Sequence, residues 1–293
     1  MGHRYWTAVL AIAVALPSAA TAAPSLRALI VDGRMNPYHD WKKVSPLLKQ
    51  QLEETGLFTV DVATAPPRGQ DLSGFQPDFA AYDVVVMNYE AEPWPEATRQ
   101  AFARYVRDGG GVVIYHSADN AFPHWPEYNE MIGVGGWNNR SKTDGSYVRW
   151  RDGRMVLDPT PGVAGTHGPQ HAFPLIVRAP NHPITKGLPP VFMQAADELY
   201  SRLRGPAKNL TVLATAFSPP DKNGSGEHEP MLMAIRYGKG HVFHTALGHG
   251  VPQVRSVAFI VTYQRGAEWA ATGKVTQQVP DDFPGPDQPR FRP

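Results

Sequence analysis

Short apolar runs alternate with helical segments in the first third of the chain, and this alternation constrains the fold more than any other feature. Leu26 to Val31 is an apolar run that ends at a turn, as expected of a buried strand. Pro95 opens a helix that Gly109–Gly111 ends, and Val112–Tyr115 follows as another strand. This order predicts an α/β fold with a doubly wound, mainly parallel sheet, whose sites lie beyond the carboxyl ends of the strands. Further segments of the same kind are a helix from about Trp41 to Glu54 and strands at Phe58–Val62 and Tyr82–Met87.

The alternation of apolar runs and helical segments ends between Asn120 and about Pro190, where Trp, Asn, Gly, His and Pro are frequent. We expect long loops there with one short helix near Trp125–Ile132, and loops of that length in a compact domain usually carry function. Regular structure is expected to return in a strand, a hairpin and a final helix. These are Leu210–Ala214, the hairpin Met231–Arg236 and His241–Ala246 around Tyr237–Gly240, and a helix from about Val254 to Trp269.

The first residues have the pattern of a secretory signal peptide. Arg4 precedes an apolar run from Trp6 to Leu16, and Ala20–Ala22 fits a small-residue cleavage site. The run is too short to span a membrane, which takes about 20 residues. We therefore expect cleavage after Ala22 and a periplasmic or secreted protein. The predicted parts of the chain are a signal peptide at 1–22, one α/β domain at 23–273 and a Pro-rich extended tail at 274–293.

The composition narrows the possible chemistry. With 0 cysteines, disulfides, thiolate metal sites and cysteine nucleophiles are excluded, so attention turns to the 11 histidines. Loss of residues 1–22 would remove Arg4 and no acid, which leaves equal numbers of basic and acidic residues. We therefore expect neither nucleic acid nor an anionic membrane as a partner. The oligomeric state stays open.

His116 directly follows the strand Val112–Tyr115, where a strand emerging into a sharp turn presents its next side chain at the top of the sheet. Histidine suits proton transfer or metal binding near neutral pH. A serine hydrolase using Ser117 is disfavoured because the flanking G-x-S-x-G pattern is absent. A turn histidine bonded to backbone is the alternative interpretation.

Other candidates lie in the second half of the chain. Asp197 and Glu198 are adjacent, so on a strand only one of them faces a given pocket. His249 follows the hairpin in a glycine-flanked loop, whereas His244 lies on the strand itself. His182, before a proline, is expected to fix a turn. His167 and His171 are four residues apart on a predicted loop, and of the two we favour His171 as a residue that lines the site.

Aromatic and amide side chains accompany these residues. Trp137 and Asn138 lie in the predicted loops, and such groups suit the C–H faces and hydroxyls of a sugar, although they would equally suit a buried loop core. The predicted site residues are His116 and Glu198 as catalytic groups, His39, Trp137, Asn138, His171, Tyr200 and His244 for substrate, and His171 and His249 for a possible divalent metal.

Several of these segments together resemble one known family. At His116, His182–Pro183, Asp197–Tyr200 and Tyr237–Gly240 through His249, the chain resembles the trehalose-utilisation (ThuA-like) family, over about Leu26 to Gly273. The resemblance implies a class I glutamine amidotransferase-like fold, with a flavodoxin-like sheet, helices on both faces and long loops over the strand ends. It also implies disaccharide catabolism by routes through 3-keto sugars. The amidotransferase cysteine is absent, so glutamine hydrolysis is not expected.

The leading hypothesis is an extracytoplasmic enzyme that isomerises or cleaves a sugar or 3-keto-glycoside. A ketone at C3 acidifies the C2 hydrogen, and Glu198 or His116 would remove it. His171 and His249 would polarise the carbonyl or protonate the leaving oxygen, directly or through a divalent metal. A non-catalytic sugar-binding protein and a metal-dependent hydrolase remain alternatives. The deciding question is whether His39, His116, Glu198 and His249 converge.

Overall fold

The computed structural model describes residues 1–3 and 26–293, so the predicted signal peptide lies outside the described residues apart from its first three positions. Five strands form the parallel half of one large sheet, in the order β2-β1-β3-β4-β12. The alternating order predicted from the sequence is confirmed there. The elements of this half are β1 (Leu26–Asp32), α1 (Trp41–Glu53), β2 (Phe58–Thr64), β3 (Val84–Met87), α2 (Glu96–Asp108), β4 (Gly111–Tyr115) and β12 (Gly240–Thr245).

The sheet continues past β12 through four antiparallel pairings, so in the described part of the chain it has nine strands and is mixed. The predicted hairpin supplies the first reversal of direction. Because each further pairing also reverses direction, the edge strand of this half runs the same way as β4. The strands that follow β12 in order across the sheet are β11 (His228–Tyr237), β10 (Leu210–Phe217), β7 (His171–Val177) and β8 (Val191–Asp197).

The segment Asn120–Pro190 is more regular than we predicted. The expected short helix is present as α3 (Pro126–Ile132), but β7 and two strands of a small second sheet also lie there. Those two strands are β5 (Ser146–Arg151) and β6 (Arg154–Asp158), and β9 (Arg204–Gly205) pairs with β5. Their sequences are rich in arginine and only partly buried, so they lack the apolar signal of a core strand.

The last helix covers one face of the sheet. A short turn, α4 (Val251–Val254), precedes α5 (Val257–Thr272), whose side chains are buried along nearly its whole length. The helix packs against β4 and β12, and Gly266 lets it approach closely, because a Cβ there would lie 2.1 Å from the Phe243 ring. No helix in the described part of the chain is long and apolar enough to cross a membrane.

The Pro-rich tail after Gly273 runs along the body of the protein. Met193 of β8 donates a backbone hydrogen bond to Gly285, and the Phe283 ring packs edge-on against Phe192. Val257, at the start of α5, donates to the carbonyl of Arg290. The tail therefore covers part of the exposed edge strand, which would otherwise offer unpaired backbone groups.

Candidate metal centre

Four side chains with metal-ligand chemistry converge at one edge of the large sheet. One ligand atom from each of His39, His116, Glu198 and His249 lies within 4.8 Å of the others. They follow β1, β4, β8 and β12, which all run in the same direction, so their carboxyl ends share one edge. This is the convergence on which the sequence-based hypothesis depended.

His116 is oriented by the backbone of a neighbouring loop. Its Nδ1 lies 2.9 Å from the carbonyl oxygen of Ala246, and since a carbonyl can only accept, Nδ1 carries the proton. In the neutral form of the ring the lone pair is therefore on Nε2, which then accepts a 2.9 Å hydrogen bond from the Tyr200 hydroxyl and lies 3.8 Å from Glu198. Burial acts to lower the pKa of His116, but Glu198 and Asp197 outweigh it and raise the pKa. The residue has a φ of 44°, a left-handed conformation that turns the ring into the site.

His39 is held in the same tautomer by an amide. The Asn36 side chain donates from Nδ2 to Glu90 over 2.6 Å, so its Oδ1 faces the His39 Nδ1 at 2.8 Å and accepts the proton from it. Nε2 of His39 is buried and has no hydrogen-bond partner among the described residues. Burial and the nearby His116 and His249 lower the pKa of His39 to about 2. The ring is therefore neutral, with a free lone pair directed into the cluster.

Asp197 fixes the loop that carries His249. Its carboxylate accepts the backbone N–H groups of Gly248 and His249 over 2.8 and 3.1 Å, and the Gln194 side chain over 3.0 Å. Nδ1 of His249 lies 3.1 Å from Glu198 but makes no hydrogen bond. It is a second buried nitrogen without a partner, next to a carboxylate. Of the two adjacent acids, Asp197 therefore supports the loop and Glu198 enters the site.

Glu198 lies among three histidines. Its Oε2 is 3.8 Å from Nε2 of His116, 3.7 Å from Nε2 of His167 and 3.1 Å from Nδ1 of His249. Burial acts to raise the pKa of Glu198, but the adjacent His116 and His249 outweigh it and hold the pKa well below its usual range. A carboxylate that stays ionised in this way is available as a metal ligand, and the role of base that we predicted for Glu198 or His116 stays a prediction.

Comparison with known proteins places these residues in a family. The family model described as "Trehalose utilisation", ThuA, matches residues 27–270. The chain belongs to the ThuA family. The resemblance inferred from the sequence motifs is thereby confirmed, and all four residues of the cluster lie within the matched range.

Solved structures agree with the assignment. A ThuA-like protein from Parabacteroides merdae is 45% identical, with a TM-score of 0.89 over 92% of this chain and 98% of that one. A ThuA-like protein from Bacteroides uniformis is 19% identical, with a TM-score of 0.59 over 89% of this chain and 97% of that one, a likeness of fold alone. No curated protein is significantly similar to this ThuA chain.

The donor set of this ThuA chain fits a divalent transition metal. Three imidazole nitrogens and one carboxylate oxygen are ligands that zinc, manganese, iron, cobalt and nickel accept. The contacts of Asn36 and Ala246 with the far nitrogens of His39 and His116 are of the kind that orient metal-bound histidines. The two buried nitrogens without partners, on His39 and His249, are satisfied if a cation occupies the centre of the cluster.

A group of packed aromatic rings lies beside the cluster. The Trp137 ring lies 4.7 Å from the Tyr200 ring and 6.0 Å from the His167 ring, measured between centroids. The Tyr200 ring lies 4.4 Å from that of His116. Burial first, and then nearby carboxylates such as Asp119, raise the pKa of Tyr200 far above its usual range, so its hydroxyl remains a donor.

Two of the predicted site histidines lie outside the cluster. His171 begins β7 opposite Asp197 in the register, its Nδ1 bonds the carbonyl of Pro169, and its ring packs on Phe173. Our assignment of His171 to a metal is not supported by this placement, because the strand directs the ring elsewhere. The second, His244, is fully buried beneath the site.

The contacts of His244 are those of a core histidine. Its Nδ1 lies 2.8 Å from the carbonyl of Ile132 and its Nε2 lies 3.3 Å from Asp119. These contacts do not place it among the four ligands. Asn138, in contrast, is exposed and donates to the Asn120 carbonyl at the rim of a neighbouring cleft.

Sequence reasoning missed Glu90, Asn36 and the contact of His167 with the cluster. Glu90 comes shortly after β3, so the rule that sites lie beyond the carboxyl ends of parallel strands would have pointed to it. Asn36 and His167 lie on loops whose paths the sequence does not fix.

Proposed function

We propose that this ThuA-family chain is a metal-dependent enzyme that isomerises or cleaves a sugar or keto-glycoside. The observation that carries the proposal is the convergence of His39, His116, Glu198 and His249, with lone pairs on two buried nitrogens left without partners. Family membership supports a carbohydrate-related role. A purely structural cluster would be expected to satisfy those nitrogens internally, because an unpaired buried polar atom costs about 1–3 kcal/mol.

A bound divalent cation would supply Lewis-acid stabilisation of a developing negative charge on a carbonyl or hydroxyl oxygen. The residues of the chain supply the remainder of the chemistry. The Tyr200 hydroxyl stays protonated and can donate to a substrate oxygen beside His116. The His167 side chain, 38% exposed and 3.7 Å from Glu198, can exchange protons with solvent. These two groups are our candidates for proton donor and proton carrier.

A metal-dependent hydrolase is the second candidate, since the same donor set can activate a bound water. The two differ in their substrates. The enzyme we favour requires a carbonyl next to the C–H bond that breaks, whereas a hydrolase would accept an ordinary glycoside, ester or amide.

The test combines metal analysis with turnover. Purified protein is dialysed, loaded separately with zinc, manganese, cobalt, iron or nickel salts, and analysed by mass spectrometry for bound metal. It is then incubated with 3-keto and ordinary disaccharides, with and without chelator. We expect one cation per chain and chelator-sensitive turnover of a keto sugar. Sugar binding without product would favour the non-catalytic alternative.

Variants assign the cation to the cluster. His39→Ala and Glu198→Gln should each lower the affinity for metal at least tenfold and abolish turnover. His171→Ala is the matched control, because it removes a histidine outside the cluster and should leave the metal content unchanged. Absence of bound metal together with absence of keto-sugar turnover would overturn the proposal.

We also propose that the protein acts outside the cytoplasm, on the strength of the signal-peptide pattern in residues 1–22. Expression of the full chain with a C-terminal tag, followed by fractionation and N-terminal sequencing, tests this. A mature protein that begins at Ala23 in the periplasm or medium is expected. An intact N-terminus in the cytoplasmic fraction would contradict it.

A further inference from the structure

One buried carboxylate holds the backbone of two candidate ligands. Asp197 is fully buried, and its Oδ1 accepts the N–H of Glu198 over 2.9 Å and that of His249 over 3.1 Å. Its Oδ2 accepts the N–H of Gly248 over 2.8 Å. Glu198 follows β8 and His249 follows β12, so this carboxylate joins the ends of two strands that are not neighbours in the sheet. The distance between the two candidate ligands therefore depends on the direction of the Asp197 side chain.

The direction of the Asp197 side chain is set by Gln194. The Gln194 side chain is also fully buried, and its Nε2 donates to Oδ2 of Asp197 over 3.0 Å. Since a carboxylate can only accept, the amide NH2 group faces Asp197 and the amide oxygen lies on the other side. That oxygen accepts a 3.0 Å hydrogen bond from the hydroxyl of Ser256, which is fully buried as well. Both ends of the amide have partners, which fixes its orientation.

Ser256 is held in turn by the C-terminal tail. It pairs with Phe291 in an antiparallel backbone bridge. The residues beside this bridge, Val257 and Arg292, donate backbone hydrogen bonds across it over 2.9 and 3.0 Å. The Arg292 guanidinium also makes two hydrogen bonds to the carboxylate of Asp282, which ties the end of the tail to its beginning. The tail therefore fixes the position from which the serine hydroxyl reaches the glutamine.

We infer that Gln194 is a positioning residue for the candidate metal centre. It acts through Asp197, whose carboxylate fixes the backbone of both Glu198 and His249. The inference rests on the proposed function for the role of those two side chains, but the hydrogen bonds themselves involve no metal. The effect of Gln194 on the loop after β12 can therefore be measured in the metal-free protein.

A positioning role and a purely structural role predict different effects of removing the Gln194 amide. Both predict a loss of stability, because a buried carboxylate and a buried hydroxyl each lose a partner. Only a positioning role predicts that the backbone at 246–250 opens more often while the rest of the sheet does not. The amide protons of Gly248 and His249 report this opening directly, because they are the ones that Asp197 accepts.

The primary test is hydrogen exchange of the purified metal-free protein, followed by mass spectrometry. Gln194→Met keeps nearly the same shape without the amide, and it should raise the exchange rate at 246–250 about tenfold. Exchange in β4, measured in the same sample, should stay unchanged. Ser256→Ala removes the second partner of the amide and should raise exchange at 246–250 about threefold. This milder change keeps the inference testable if Gln194→Met folds poorly.

Gln264→Met is the matched control. Gln264 is a buried glutamine of α5, and its Nε2 donates over 2.7 Å to the carbonyl of Gln51 in α1. Its replacement should lower thermal stability without changing exchange at 246–250. The inference is overturned if Gln194→Met and Ser256→Ala exchange there like the wild type, or if Gln264→Met raises exchange there equally.

Metal binding is a second readout, and it separates this inference from the proposed function. Gln194→Met should lower the affinity for cobalt about tenfold, as loss of supporting contacts around a metal site commonly does. It should also change the visible absorption of the bound ion, whereas Gln264→Met should leave affinity and spectrum unchanged. Cobalt binding with unchanged affinity and spectrum in Gln194→Met would overturn this inference alone. Faster exchange at 246–250 in Gln194→Met, in a protein whose wild type binds no cation, would overturn the proposed function alone.

Discussion

At the scale of single residues, the informative contact is the hydrogen bond from the Tyr200 hydroxyl to Nε2 of His116. That nitrogen has one lone pair, and the same atom faces Glu198 in the cluster. A cation that takes the lone pair must displace the Tyr200 proton, and the freed hydroxyl is then available to an oxygen of the substrate. On the proposed function, Tyr200 and a cation would therefore compete for Nε2 of His116, and the displaced Tyr200 hydroxyl would serve as a donor to the substrate.

Replacement of Tyr200 by Phe tests this competition. Because the variant removes a competing hydrogen bond worth about 1 kcal/mol, we expect metal affinity to stay equal or to rise by up to about tenfold. Turnover should fall at least tenfold, since a donor to the substrate is lost. Metal titration and steady-state kinetics measure the two effects.

Tyr128→Phe is the matched control, because it removes a buried hydroxyl that donates to the Ala118 carbonyl. It should lower thermal stability and leave kcat unchanged. Loss of the cation in Tyr200→Phe would contradict the argument and indicate instead that the hydroxyl helps to hold the metal.

Residue identities in the site were partly predictable from the sequence. His116 and His249 follow strands directly, so the position of a strand end also gives the position of the side chain. His171 and His244 lie outside the four-residue cluster, because sequence alone does not show which way a ring turns at the start of a strand or within one. Glu90 and Asn36 act through contacts between distant loops, and no local pattern encodes such contacts.

At the scale of elements, the local sequence pattern was sufficient to predict a strand or helix wherever that element is apolar and bounded by turn residues. The strand β4, the hairpin of β11 and β12 and the helix α2 were all predictable on that basis. The strands β5 and β6 were not, because charged residues interrupt their apolar pattern and two arginines of β5 pair with acids distant in the sequence. Arg149 pairs with Glu229 and Arg151 with Glu227, contacts that only tertiary structure supplies.

The packing of α5 on the sheet gives a prediction at this scale. Gly266→Ala would place a methyl group 2.1 Å from the buried Phe243 ring, so helix or ring must move. Overpacking of this kind costs about 1–3 kcal/mol, against a gain of about 1 kcal/mol in helix propensity. We expect net destabilisation, measured by urea unfolding.

Gly74→Ala provides the comparison for this change. Nothing lies within 4 Å of a Cβ at that position and the backbone there is not left-handed, so stability should be unchanged within about 0.5 kcal/mol. Equal stability of the two variants would show that a shift of α5 away from β12 costs no more than the gain in helix propensity offsets.

At the scale of the whole molecule, acid stability depends on histidines held neutral in the fold. His182 accepts a 3.3 Å hydrogen bond from the Ile184 N–H and packs edge-on to the Trp269 ring, which agrees with the turn-fixing role predicted for it. Burial, and then the charge of His241, lower its pKa from 6.5 to about 4. The folded state therefore binds fewer protons than the unfolded state between these values.

The direction in which stability changes with pH follows from this difference in bound protons. The contribution of neutral His182 is fully present above about pH 6.5 and is lost as the pH falls toward 4. The wild type should therefore exceed His182→Asn in Tm at pH 7.5, and the difference should shrink between pH 6.5 and 4. Circular dichroism melts across that range measure it, and a difference that does not change with pH would contradict the assignment.

The four candidate ligands come from loops that follow β1, β4, β8 and β12, and the last of them along the chain is His249. A ribosome must therefore have made all four of these strands before the fourth candidate ligand exists. The unfolded chain offers no preformed site, so a cation cannot guide the early steps of assembly. On the proposed function, a cation would therefore be loaded after these strands have paired, and the compartment in which the chain folds would decide which metal it meets.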